Sequence, residues 1–194
     1  SARYRCEHVA EELSLQGYRT SVTVQDNPFL LSYAEQFSVF VFHRVLYTGQ
    51  ARKLFERLKE LKKEIVFETD DLVYDPQFLI HMDYFQQMNG LERKLYEYGV
   101  GGEMLADPYV KVATTTTGFL ADKLRALGKQ VFIVPNKLSQ SDVALADAAW
   151  QHKTPGKEDI IRVGYLSGTP SHNKDFATIT DALIRLFDRY PSMR

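Results

Sequence analysis

The chain has 194 residues, with 24 Lys and Arg against 25 Asp and Glu, giving a formal net charge of −1. That balance, with no basic run beyond the three scattered positives of LKELKK, argues against a phosphate-neutralising nucleic-acid binder, and 44% apolar with 12% aromatic residues excludes intrinsic disorder. A single cysteine, Cys6, excludes an internal disulfide framework and a multi-cysteine zinc site.

The first segment, Ser1 to Gln16, places Cys6, Val9, Ala10 and Leu13 at helical spacing, and Gly17 follows where a left-handed C-cap belongs. TSVTV then reads as a short strand, and Asn27-Pro28 as a loop. FSVFVF is apolar on both faces, as a buried parallel strand is. Residues 51–63 return to helical spacing through Leu54, Leu58 and Leu61. EIVFE is the next strand, ending at Thr69-Asp70-Asp71, and Asp75-Pro76 supplies an N-cap and a first-turn proline for a helix expected to run to about Tyr98.

GVGGEMLADP reads as a loop, VKVAT as a strand and GFLADKLRALG as a helix stopped by Gly128, with QVFIVP as the following strand. The pairing of a helix, a C-cap glycine and a β-branched strand occurs twice, in LQGYRTSVTV and LRALGKQVFIV, which predicts a parallel α/β sheet with helices on both faces, not a solenoid. The polar stretch QHKTPGKED suggests a boundary near 150–158, placing a Rossmann-like domain over 1–157 and the first βα unit of a second over 158–194, with IIRVGYLSGT as strand and DFATITDALIRLF as helix. One βα unit cannot bury its own apolar faces, and a doubly wound domain normally opens on a strand, so both ends are expected to lack something.

In open parallel sheets ligands bind beyond the carboxyl ends of the strands. The residues there are His43-Arg44, Asp70-Asp71, Thr114 to Thr117, Pro135-Asn136-Lys137 and Ser167-Gly168-Thr169. Asp70 and Asp71 are open to loop ordering or to metal ligation, and the threonines to helix capping or to phosphate. Arg44, directly after a buried strand, needs an internal carboxylate or an anionic ligand. Arg3 and Arg5 stand in a first helical turn, where the macrodipole disfavours cations, so either a bound anion or plain solvent exposure is expected there. The loop SGTPSHNKDF is a candidate phosphate cradle, in which Gly168 permits close backbone approach and Lys174 supplies charge, although it matches neither GxGxxG nor a Walker loop. His172 reads as a loop residue and Cys6 as a core residue. No G-x-S-x-G elbow is present.

RYRCEHVAEELSLQGYRT, VFHRV, FETDDLVYDP, VPNKLS and VGYLSGTPSHNKDFATITDAL with RYP close behind, taken in this order, resemble the retaining glycosyltransferases of family 4, the group 1 enzymes that build bacterial surface polysaccharides. The resemblance implies a GT-B fold, with an acceptor-side domain and a nucleotide-sugar domain facing each other across a cleft. It implies that Gly168, Thr169 and Lys174 lie by the donor diphosphate, and that His43, Arg44, Asp71, Arg3, Arg5 and Asn136 line the acceptor side. It further implies a nucleotide-diphosphate sugar as substrate, no metal or other cofactor, and a glycan or lipid-linked acceptor. The family's later pair of donor-domain glutamates, seven residues apart, does not occur, so these residues alone are expected not to turn over.

The competing reading is a non-catalytic Rossmann-like module that binds a nucleotide or an anionic glycan; an epimerase is disfavoured by the missing glycine-rich fingerprint. The longest strongly apolar run, FSVFVF, is far short of the roughly 20 residues that span a bilayer. A cytoplasmic location follows as an expectation, peripheral at the inner membrane face if ARKLFERLKELKK lies on lipid instead of forming an ordinary surface helix. An incompletely covered second unit would also leave an apolar face for self-association or domain swapping.

Overall fold

The fold is that of a computed structural model, which describes residues 2–79, 83–152, 161–166 and 173–193, with the side chains of 83–84 and 173–175 left aside. It is α/β, with a four-stranded, all-parallel sheet of order β1-β2-β3-β4 flanked by helices, consistent with a Rossmann-like fold. The strands are β1 (Val39–His43), β2 (Glu64–Thr69), β3 (Val112–Thr115) and β4 (Gln130–Ile133). All four lie where β-branched and aromatic runs predict them.

A π turn (Arg3–Glu7) leads into α1 (His8–Leu15), which ends as expected: Gly17 takes φ +87°, its N–H donates to the Ser14 carbonyl, and the Tyr18 N–H donates to that of Leu13. The predicted apolar stripe does not hold. Leu13 is exposed, and the buried side chain of this segment is Arg5. TSVTV joins no sheet.

Helix α2 (Gly49–Glu60) buries Ala51, Leu54, Phe55 and Leu58, so the amphipathic segment spends its apolar face on the core and not on lipid. These side chains meet Phe42, Ile65, Phe67 and Ala113 from the sheet and Leu124 from α7 (Gly118–Ala126). The core therefore lies on one face of the sheet. The register aligns His43 with Glu68 and Glu68 with Thr114, so these three point to the opposite face, where the π turn and α1 dock.

The helix expected from Asp75 to Tyr98 is broken. Asp75 does cap α3 (Pro76–Leu79), its Oδ1 accepting from the Gln77 N–H, but among the described residues the helix is interrupted between α4 (Asp83–Gln87) and α5 (Gly90–Lys94). Asn89 starts α5 with a full capping box, accepting from the Leu91 and Glu92 amides while Glu92 accepts from its own, and so ends what precedes it. GVGGEMLADP contains α6 (Gly102–Ala106), with Met104 and Leu105 buried. Beyond β4 lies α8 (Gln140–Gln151), a helix without a counterpart among the expected elements; Ser139 caps it, its hydroxyl accepting from the Asp142 N–H. The helix near the end is α9 (Asn173–Arg189), whereas 161–166 forms only a single parallel bridge, Ile161 to Met193, in place of the expected strand. Most of the expected boundary at 150–158, from 153 onward, lies outside the described residues.

Candidate functional site at the carboxyl ends of the strands

Glu68 is the hub of this end of the sheet. Its position on β2, flanked on both sides by paired strands, leaves a carboxylate 2% exposed, which must be paired and hydrogen-bonded to remain charged. Arg5 supplies the charge: its Nε donates to Glu68 Oε1 at 2.7 Å, and its Nη1 donates to the Val134 carbonyl at 2.5 Å and to Asn136 Oδ1 at 3.2 Å. The Thr114 hydroxyl donates to Glu68 Oε2. A π turn is wider than an α turn, and here it carries Arg5 inward at a helix start where either a bound anion or solvent exposure is expected. The partner of Arg5 is thus neither solvent nor a bound anion but an internal carboxylate.

His43 Nδ1 lies 4.0 Å from the same Glu68 oxygen. Burial lowers the His43 pKa below the ordinary imidazole value; Arg44 and Arg5 add to this, while Asp70 and Glu68 oppose it. The ring is accordingly neutral at pH 7.

Arg44 takes φ +49°, in the left-handed region, and its guanidinium folds over the end of β2. Nε donates to Asp70 Oδ1 at 2.7 Å, and Nη2 to Asp71 Oδ2 at 3.2 Å. The two aspartates are therefore partners of Arg44, and Asp71 also orders the loop by accepting from the Leu72 N–H at 2.7 Å. Arg44 is one-third exposed and Asp71 about half exposed, so this pair, unlike Arg5 and Glu68, remains open to solvent.

The threonines divide. Thr117 caps α7 through the Leu120 N–H, Thr115 donates to the Thr69 carbonyl at 2.7 Å, and Thr114 serves Glu68. Arg3 ion-pairs with Asp142, and His8 joins them, with Nε2 3.2 Å from Asp142 Oδ2 and Nδ1 3.0 Å from the Lys137 carbonyl. Cys6 is half-buried, and burial, with a smaller contribution from Glu68, raises its thiol pKa, which leaves it unreactive at neutral pH.

Among the acceptor-side residues named from the sequence, Arg5 and Asn136 form one cluster, His43 adjoins it through Glu68, and Arg44 with Asp71 forms a second, more open cluster. Arg3 lies apart, at α8. Gly168, Thr169 and His172 fall outside the described residues, as does the side chain of Lys174, whose backbone is in the first turn of α9. Glu68, His8 and Asp142 were not singled out from sequence. Glu68 carried a signal, since one carboxylate inside the apolar run IVFET demands a buried cation.

Among the described residues no group of three or more His, Cys, Asp and Glu is placed to hold a metal ion, and no helix is long and apolar enough to cross a membrane. Comparison of the chain with protein-family models, with curated proteins and with solved structures gave no match.

Proposed function

We propose that this chain carries the acceptor side of a retaining glycosyltransferase, which moves a sugar from a nucleotide-diphosphate sugar to a glycan or lipid-linked acceptor. The observation that supports this best is the partly exposed polar set at the strand ends, in which Arg44 and Asp71 reach solvent while Asp70 and His43 lie behind them. A sugar acceptor presents many hydroxyls, each both donor and acceptor, and is matched by a set that offers guanidinium donors beside carboxylate acceptors. Because the two carboxylates of Asp70 and Asp71 outweigh the single Arg44 charge, the set suits a neutral polyol better than a phosphate.

Breaking a sugar–diphosphate bond builds negative charge on the leaving phosphate. Lys174, placed in the first turn of α9, where backbone amides and the positive helix end converge, would stabilise that charge. Attack from the leaving group's own face lets the departing phosphate take the acceptor's proton, so no carboxylate pair is required.

The reading is tested with the complete reading frame that encodes these residues, incubated with a panel of nucleotide-sugars with and without acceptor glycans. Acceptor-dependent release of one nucleoside diphosphate is the expected result. Nucleotide-sugar binding without release, for every donor and acceptor, would assign the chain to a non-catalytic module. In the active protein Lys174→Ala lowers turnover by an order of magnitude or more with an unchanged melting midpoint; equal turnover would remove Lys174 from the site.

A further inference from the structure

A polar junction that the proposed reaction does not use joins the N-terminal helical segment to α8. His8, the first residue of α1, has a side chain only 9% exposed. Its Nδ1 lies 3.0 Å from the Lys137 carbonyl and its Nε2 3.2 Å from Asp142 Oδ2. Asp142 stands in the first turn of α8, where its own N–H donates to the Ser139 cap. Asp142 Oδ1 takes the Arg3 guanidinium; Oδ2 is buried and meets no hydrogen-bond donor among the described residues other than this ring. On its own side of the junction the ring meets the π turn: Arg3 Nε lies 3.4 Å from the same Nε2, and the Tyr4 ring packs edge-on at 5.1 Å between centroids.

A neutral imidazole carries one N–H, and this ring has an oxygen acceptor at each nitrogen. With the proton on Nε2, the Nδ1 lone pair faces the lone pairs of the Lys137 carbonyl. With the proton on Nδ1, that carbonyl is served and Nε2 accepts from Arg3, but the buried Asp142 Oδ2 is left without a hydrogen bond. The imidazolium donates to both oxygens, and its bond to the carboxylate is charge-assisted. Its repulsion from Arg3 is moderated, because the Arg3 side chain is 57% exposed and is itself paired with Asp142 Oδ1. One proton therefore decides whether Nε2 faces its own segment or bonds across to α8. Histidine is the side chain whose charge changes between about pH 5 and 8.

We infer that His8 is a proton-operated latch between α1 and α8: the charged ring ties α1 to both Lys137 and Asp142, and the neutral ring keeps only one of the two ties. The latch reaches the candidate site through the chain, since Lys137 directly follows Asn136, which accepts from Arg5, the partner of Glu68. Acid closes the latch and so holds the N-terminal segment and the Asn136-Lys137 loop together; alkali loosens it. This device is independent of the glycosyltransferase reading.

The test is native-state amide hydrogen exchange on the full chain at about pH 5.5 and about pH 8, either side of the histidine range, with rates corrected for the intrinsic effect of pH. The protection of α1 amides in the wild type, divided by that in His8→Gln, is expected to be about threefold or more higher at the lower pH. His43 is present in both proteins, so its own titration cancels in the ratio. Asp142→Asn keeps the size of the side chain, removes its charge, and is expected to abolish the difference; it also serves as the comparison if His8→Gln does not fold. A ratio that is equal at the two pH values, or higher at the upper one, would overturn the latch. So would a pH difference that survives in Asp142→Asn, because the carboxylate would then have no part in it.

Discussion

The Arg5 and Glu68 pair illustrates how one buried charge governs what surrounds it. Both side chains are almost fully enclosed, so removing one partner leaves the other without compensation in a medium that solvates it badly. Arg5→Met is expected to cost about 3–5 kcal/mol at pH 7 in urea unfolding, and Arg5→Met with Glu68→Leu distinctly less. Additive losses in the double variant would show that the pair is not coupled. His43 gives a pH signature. Its folded pKa is lowered, chiefly by burial, so below pH 7 the unfolded chain binds the proton first. Stability should fall as pH drops from the unfolded value of about 6.5 through the folded one, and His43→Gln should flatten that part of the profile. An unchanged profile would mean that His43 is not desolvated. The sequence made Arg44's need for a partner legible and left the partner open. It gave a weaker signal for Glu68, because a glutamate at a strand end reads as exposed until neighbouring strands are known to close on both sides.

Glycines account for what was legible and what was missed among the elements. Gly17 and Gly128 stop their helices as left-handed C-caps, a local device readable without any tertiary information. GVGG reads as a loop, yet its glycines serve close packing: a Cβ on Gly99 would overlap the Tyr74 carbonyl, and one on Gly102 would come within 2.8 Å of it. Gly99 also has φ +79°, and its neighbour Val100 donates to the Val73 carbonyl at 2.8 Å. Gly99→Ala should therefore cost about 3 kcal/mol or more, since it combines strain with a backbone clash. A loss under 1 kcal/mol would mean that the 72–75 turn yields easily. Lys62 is the converse case, occupying with φ +53° the C-cap position that glycine fills after α1 and α7. Lys62→Gly should stabilise by about 0.5–1 kcal/mol, visible as a higher urea midpoint at constant slope. TSVTV departs from its expected strand for a different reason: β propensity describes fit to a half-buried pleated surface, and a segment without a ladder partner has no such surface.

At the scale of the molecule the two faces of the sheet are held by different physics. One carries the apolar core with α2, α6 and α7. On the other, polar bonds join the N-terminal helical segment to the rest, from Arg3, Arg5 and His8 to Glu68, Val134, Asn136, Lys137 and Asp142, and from Ala10 and Ser14 to Thr20. No residue of α1 is buried. Net hydrogen bonds contribute about 1 kcal/mol each, whereas each fully buried Leu or Phe on the core face contributes about 1.5–3 kcal/mol, so the two faces differ in the work needed to open them. The N-terminal segment should open as a unit while the sheet stays folded. Native-state hydrogen exchange is expected to give α1 amides an opening free energy several kcal/mol below that of β2, β3 and α2, with Arg5→Met lowering the α1 value further. If α1 instead exchanges together with the strands, the polar anchors hold it as firmly as a core would, and the segment over the candidate site is fixed.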